Sequence, residues 1–179
     1  GSYATRRARR HIATPTHRHA DSSSLGRTHS LLENTMASDR LSRLITEVRK
    51  CTLCASSLPN PPRPVLRATS SARVLIVGQA PGRRVHETGI PWNDPSGDLL
   101  REWLAIDRKA FYDATRIAII PVGLCYPGKG ESGDLPPRPE CAPQWHPQLR
   151  PLLKDLKLTL LIGQYAHAYF LGNKRGKTL

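Results

Sequence analysis

Three short apolar runs constrain this chain more than anything else in it: Val74-Leu75-Ile76-Val77, Ile117 to Ile120, and Leu158 to Ile162. Each has the length of a strand, and none approaches the roughly 18 apolar residues that a membrane-spanning helix requires. A strand that is apolar at successive positions has no face to give to water. It belongs inside a sheet covered on both sides, and such sheets are parallel, with helices as the covers. Segments with helical spacing separate the three runs. The predicted class is therefore α/β, a three-layer α/β/α domain with a central parallel sheet. In such folds ligands sit beyond the carboxyl ends of the strands. That rule gathers Gly78–Gly82, Pro121–Leu124 and Gly163-Gln164 around one crevice.

Local signals place the remaining elements. Ser38 is positioned to cap a helix whose Leu41, Leu44, Ile45 and Val48 fall at i, i+3, i+4 and i+7, ending at Cys51. Ser56 to Pro64 carries four prolines and reads as a loop. Ser96 to Leu104 reads as a helix capped by Ser96, with Leu99, Leu100, Trp103 and Leu104 turned inward. Tyr126 to Pro139 is a long Gly/Pro-rich loop. Leu149, Leu152, Leu153 and Leu156 suggest a helix that Pro151 must start or kink. Gln164 to Leu171 is a short helix stopped at Gly172. Trp145 and His167 read as packing residues, and Lys174, Arg175 and Lys177 as a solvated basic tail.

The chain has 179 residues, with 27 Lys and Arg against 14 Asp and Glu, a formal charge of +13. Residues 1–35 hold six Arg, four His and two acids, with almost no apolar periodicity, and read as a disordered basic extension. Arg-rich, Ser-rich and acid-poor is also the composition of an organellar transit peptide. Met36 is the only methionine and stands just before the first periodic segment, so translation starting there is the simpler reading, with a cytoplasmic, monomeric domain over 36–179. A charge excess of this size attracts polyanions by counterion release and steering, and nucleic acid is the commonest of them.

The four cysteines, Cys51, Cys54, Cys125 and Cys141, form a C-x2-C pair and a C-x15-C pair. Four thiolates can hold a structural zinc or an iron–sulfur cluster. Disulfides are the less favoured account in a chain without a secretory signal. The spacing alone leaves cluster and zinc level.

These residues, taken with their neighbours, resemble the uracil-DNA glycosylase superfamily, most closely the family 4 type that carries a 4Fe–4S cluster. Both cysteine spacings match that family's cluster ligands. Gly78-Gln79-Ala80-Pro81-Gly82 is similar to its first motif, Gly-Glu-Ala-Pro-Gly. Thr88-Gly89-Ile90-Pro91-Trp92 and Ser96-Gly97-Asp98-Leu99-Leu100 follow at the family's register, and Leu161-Ile162-Gly163-Gln164 through Leu171-Gly172 resembles its third strand and helix. The resemblance implies a DNA repair enzyme that hydrolyses the N-glycosidic bond of a deaminated, uracil-like base flipped out of DNA. It implies metal ligation by Cys51, Cys54, Cys125 and Cys141, with the cluster favoured over zinc. It implies base binding by the Ala80 and Gly82 backbone and stacking on Trp92, where the family has Phe.

Several positions depart from the family pattern. Gln79 stands in place of Glu and can orient a water without accepting its proton. His86, where the family has Asp, is the candidate base in its stead, and Asp94 is a second candidate carboxylate unless it only caps the next helix. Pro121 replaces an Asn that reads the uracil edge. The family's fourth strand and final His-Pro-Ser loop are not matched before Leu179, and His146-Pro147 precedes the third strand. The expectation is thus a C-terminally incomplete glycosylase domain, weak or inactive as it stands, with an open edge on its third strand. The alternative function is a non-catalytic, metal-stapled DNA-binding module or lesion sensor.

Overall fold

The structure, a computed structural model, describes residues 22–174. Three strands, β1 (Val74–Val77), β2 (Ile117–Ile119) and β5 (Leu158–Leu161), form one parallel sheet in the order β2-β1-β5. The register pairs Ile76 with Ile119 on one side and with Leu160 on the other. The central strand is buried on both faces, as an all-apolar run requires, and its pleat sends alternate residues to two separate cores. Leu75 and Val77 join Ala118 and Ile120 beneath α1 (Ser22–Arg49), α5 (Cys141–Leu149) and α6 (Gln164–Leu171), through Leu41, Ile45, Val48, Leu149 and Ala166. Ile76, Ile117 and Ile119 pack on the opposite face against Leu100 of α3 (Pro95–Trp103) and Phe111 of α4 (Arg108–Phe111). The predicted three-layer α/β/α architecture is the one observed.

The sheet's two edges differ. Arg67 and Ile119 exchange backbone hydrogen bonds of 2.9 and 2.7 Å in an antiparallel bridge, which covers the outer side of β2. On β5, Leu158 is half exposed, and no further strand pairs with it among the described residues.

Several boundaries correct the sequence reading. The first helix runs from Ser22 to Arg49 rather than from a Ser38 cap, and no proline interrupts the chain there. The rest of the predicted basic extension, residues 1–21, lies outside the described residues, as do Arg175 and Lys177. In α3 the cap is Asp94, whose Oδ1 accepts the Gly97 N–H at 2.9 Å, two residues before the predicted Ser96. The inward face differs too: Trp103 is 73% exposed and Leu99 44%, while Arg101 is buried. The helix predicted around Leu149–Leu156 starts earlier, at Cys141, carries Pro147 internally and gives way to a 3-10 turn at Arg150–Leu152, where Pro151 stands in the first turn. The loop from Tyr126 to Pro139 contains a small hairpin, β3 (Lys129–Gly130) and β4 (Gly133–Asp134), and a short helix α2 (Arg83–Thr88) follows the Gly78–Gly82 turn. Trp145 and His167 pack as expected, His167 with Nε2 3.0 Å from the Leu161 carbonyl oxygen. No helix among the described residues is long and apolar enough to cross a membrane.

Candidate active site and thiol quartet

The carboxyl ends of β1 and β2 run directly into two loops that lock onto each other. Val122 N–H donates to the Gly78 carbonyl at 3.0 Å, and Gly123 N–H to the Gln79 carbonyl at 2.8 Å. Beyond them opens a cavity of about 510 Å³ lined by Gly78 to Gly82, Trp92, Asp94, Pro121 and Gly163, together with Ser132, Gly133 and Asp134. The crevice predicted from the strand ends is thus present, and most of the predicted site residues meet in it.

Within it each candidate has a definite environment. Gln79 donates through Nε2 to the Leu135 carbonyl, at the long distance of 3.5 Å, which leaves its own amide oxygen as a free acceptor. Among the described residues, the Ala80 and Gly82 N–H groups have no protein acceptor, so both are available to an anionic ligand atom. Trp92 lies with its indole on Gly78, where a methyl group would come within 2.8 Å of Cζ2; only glycine admits the ring there. Its backbone is in the left-handed region, φ 56°, an expensive conformation for a bulky residue. Arg101 holds it there. This buried guanidinium donates to the Trp92 carbonyl at 3.2 Å and to the Tyr112 hydroxyl at 3.3 Å, and pairs with Asp98, while Tyr112 in turn donates to the Pro91 carbonyl at 2.9 Å.

Two of the proposed acid–base groups are placed differently from the sequence reading. His86 sits on α2 and does not line the cavity. Its ring faces Tyr126 with centroids 6.1 Å apart, and its Nδ1 is buried without a hydrogen-bond partner among the described residues. The structure thus places His86 beside Tyr126 and not among the residues that line the crevice. Asp94 does line the cavity, but its Oδ1 is engaged by Gly97 N–H and by the Ser96 hydroxyl at 2.6 Å; it works as the α3 cap.

Sequence reasoning missed Asp134 and Arg101. Asp134 lies on a two-residue strand, too short to show alternation, and Arg101 falls on a helix whose phase had been read from its leucines.

The four thiols do not line the cavity. Cys51 follows α1, Cys54 precedes a 3-10 turn at Ala55–Ser57, Cys125 follows the Pro121 loop, and Cys141 opens α5. All are free, and in all six pairings a charge on one thiol is felt by the other. Burial pushes the Cys141 thiol up to about 12 and the Cys125 thiol up to about 11. Burial, then the neighbouring Cys51 charge, also raises Cys54. Backbone donors already point at two sulfurs: Leu124 N–H at 3.3 Å from Cys141 Sγ, and an Arg63 N–H on Cys125. Soft thiol donors with N–H···S support are the ligand chemistry of iron–sulfur clusters and of zinc, but no three His, Cys, Asp or Glu side chains among the described residues are grouped to hold a metal ion.

The loop geometry, the indole platform and the strand-end cavity all fall within one further correspondence. The family model described as the Uracil DNA glycosylase superfamily matches residues 66–179, a span that takes in Gly78–Gly82, Trp92, Cys125 and Cys141 but begins after Cys51 and Cys54. Over that span the chain belongs to the Uracil DNA glycosylase superfamily.

Proposed function

We propose that the protein is a DNA glycosylase that hydrolyses the N-glycosidic bond of a deaminated, uracil-like base flipped into the Gly78–Trp92 cavity, with a structural 4Fe–4S cluster on Cys51, Cys54, Cys125 and Cys141. The observation that carries the reading is the cavity itself. A superfamily member places an aromatic platform, two unpartnered backbone N–H groups and a water-orienting amide around one base-sized space. As the bond breaks, positive charge grows on the sugar and negative charge on the departing base. The Ala80 and Gly82 N–H groups are the donors for that anion, and Trp92 is the face on which the base stacks. When bound, the cluster supplies no chemistry to the bond; it fastens the Cys51–Cys54 segment to the walls of the cavity.

Pro121 favours a second reading. It lines the cavity and offers no side-chain hydrogen bond with which to recognise a base edge, as a lesion-binding module without turnover would allow. One experiment separates the two. The protein is incubated with duplex oligonucleotides carrying uracil, hypoxanthine or xanthine, and abasic product is quantified. Base release from at least one substrate is the expected result. Salt-dependent duplex binding with no abasic product from any of them overturns the enzyme reading in favour of the binding module. Iron and zinc analysis of the same preparation decides the cofactor: a brown protein absorbing near 400 nm is expected, and a colourless zinc protein rejects the cluster.

A further inference from the structure

Gln79 leaves the proposed reaction without a proton acceptor at the position where the family has a carboxylate, His86 is not among the residues that line the cavity, and Asp94 Oδ1 is engaged as a helix cap. We propose that Asp134, on the β3–β4 hairpin, is the carboxylate that takes the proton from the attacking water, with Gln79 holding that water in place. The assignment rests on the glycosylase reading and deepens it.

Four observations converge on it. Asp134 lines the same cavity as Gln79, Ala80 and Trp92. Its Oδ2 is set against Gly82, where a methyl group would come within 3.3 Å, so the glycine turn and the carboxylate are in near contact. Gln79 donates to the carbonyl of Leu135, the residue after Asp134, which ties the amide to the hairpin that carries the carboxylate. The Asp134 side chain has no hydrogen-bond or ion-pair partner among the described residues, so its oxygens are free to accept. The hairpin that carries it is anchored: Lys129 pairs with Asp134 and Gly130 with Gly133, and Leu135 N–H donates to the Gly128 carbonyl at 2.8 Å.

The step balances simply. The water oxygen forms a bond to the sugar C1′, and the C1′–N bond breaks with its electron pair leaving on the base. The Gln79 amide oxygen accepts one water hydrogen in a hydrogen bond, and the other proton passes to Asp134. The base anion, held by the Ala80 and Gly82 N–H groups, is protonated on release, and Asp134 returns its proton to solvent.

Single-turnover base release is measured against pH for the wild-type chain, Asp134→Asn, Asp134→Glu and, as a control on the same hairpin outside the cavity, Glu131→Gln, each with a thermal melt. A positioned general base contributes on the order of 100-fold or more, so D134N is expected to lose about that much rate. It should also lose the decline toward low pH that the wild type shows. D134E keeps the decline at a reduced rate, and E131Q follows the wild type. A merely structural role would lower the melt without altering the shape of the pH profile, and D134E decides the case if D134N is unstable. D134N within about twofold of the wild type, with the same pH profile, overturns the assignment alone. A wild-type chain that releases no base overturns the glycosylase reading and this assignment with it.

Discussion

His146 shows how one side chain can couple the core to the site. It is 1% exposed, lies among Tyr169 and Phe170, and in its neutral form donates from Nε2–H to the Pro121 carbonyl at 3.0 Å, while Nδ1 has no partner among the described residues. Burial holds its pKa below the ordinary 6.5, with the Arg150 charge adding to the effect and the Pro121 carbonyl opposing it. The unfolded chain therefore binds a proton that the folded chain resists. The stability this histidine contributes is complete above pH 6.5 and drains away as pH falls below it, by at most about 1.4 kcal/mol per pH unit. Thermal melts between pH 7.5 and 5 are expected to show this fall, and His146→Phe to flatten it. Trp92 makes the second residue-scale case. Base stacking on an aromatic face is worth about 1–3 kcal/mol, so Trp92→Ala should weaken binding to a lesion-containing single strand about tenfold or more, and Trp92→Phe should restore most of it. The cavity side of Trp92, Gln79, Ala80 and Gly82 was legible because a strand followed by a glycine-rich turn places those residues at a strand end. That Asp134 lines the cavity and His86 does not was not legible, because sequence register does not say which way a short helix or a two-residue hairpin strand points.

At the scale of elements, the sheet was readable and the helix phases were not. An apolar run of four or five residues has one stable home, and β1, β2 and β5 fall within a residue or two of their predicted bounds. Helix α3 was shifted because Leu99 and Trp103 suggested an apolar stripe, whereas the cap at Asp94 and the buried Arg101 set the true phase. Burying Arg101 is tolerable because it is answered on every side: Asp98, the Trp92 carbonyl, the Tyr112 hydroxyl, and the Phe111 ring 5.1 Å from its guanidinium carbon. No pattern of apolar residues could announce that arrangement. Helices α2 and α4 are too short for periodicity to show. The cap gives the element-scale prediction. Asp94→Ala removes an acceptor for the Gly97 N–H and should cost about 1 kcal/mol, read as a lower urea midpoint with unchanged slope, while Asp94→Ser retains most of it.

Across the whole molecule, a group bound by all four thiols, as proposed, would join the segment after α1 to the Gly/Pro-rich stretch. Cys51 and Cys54 come from the segment after α1; Cys125 and Cys141 flank the Gly/Pro-rich stretch that carries β3, β4 and Asp134. In that stretch Tyr126, Pro127, Gly128, Pro137 and Cys141 are buried, but 131–136 is exposed, so its middle has no core of its own. Its position over the cavity therefore depends on its two ends being held. Cys125 is close to the Pro121 loop and Cys141 receives the Leu124 N–H, so a group bound by all four sulfurs would fix the β3–β4 hairpin relative to Gly78–Gly82. The raised thiols add a cost to be met at loading: Cys141 and Cys125, held up by burial, must give up protons before they can ligate, so incorporation should be faster at pH 8.5 than at pH 6.5. Cys51→Ala removes one exposed-side ligand without opening a hole in either core. It should leave the far-ultraviolet spectrum nearly unchanged, strip the iron, and lower the melting temperature by about 10 °C. The same loss should loosen the β3–β4 hairpin, seen as faster amide exchange from Gly128 to Leu135 than in β1. A Cys51→Ala chain that keeps its iron, its melt and its hairpin protection would mean that the four sulfurs do not act as one centre, and that the hairpin is held by its own hydrogen bonds to Gln79 and Gly128.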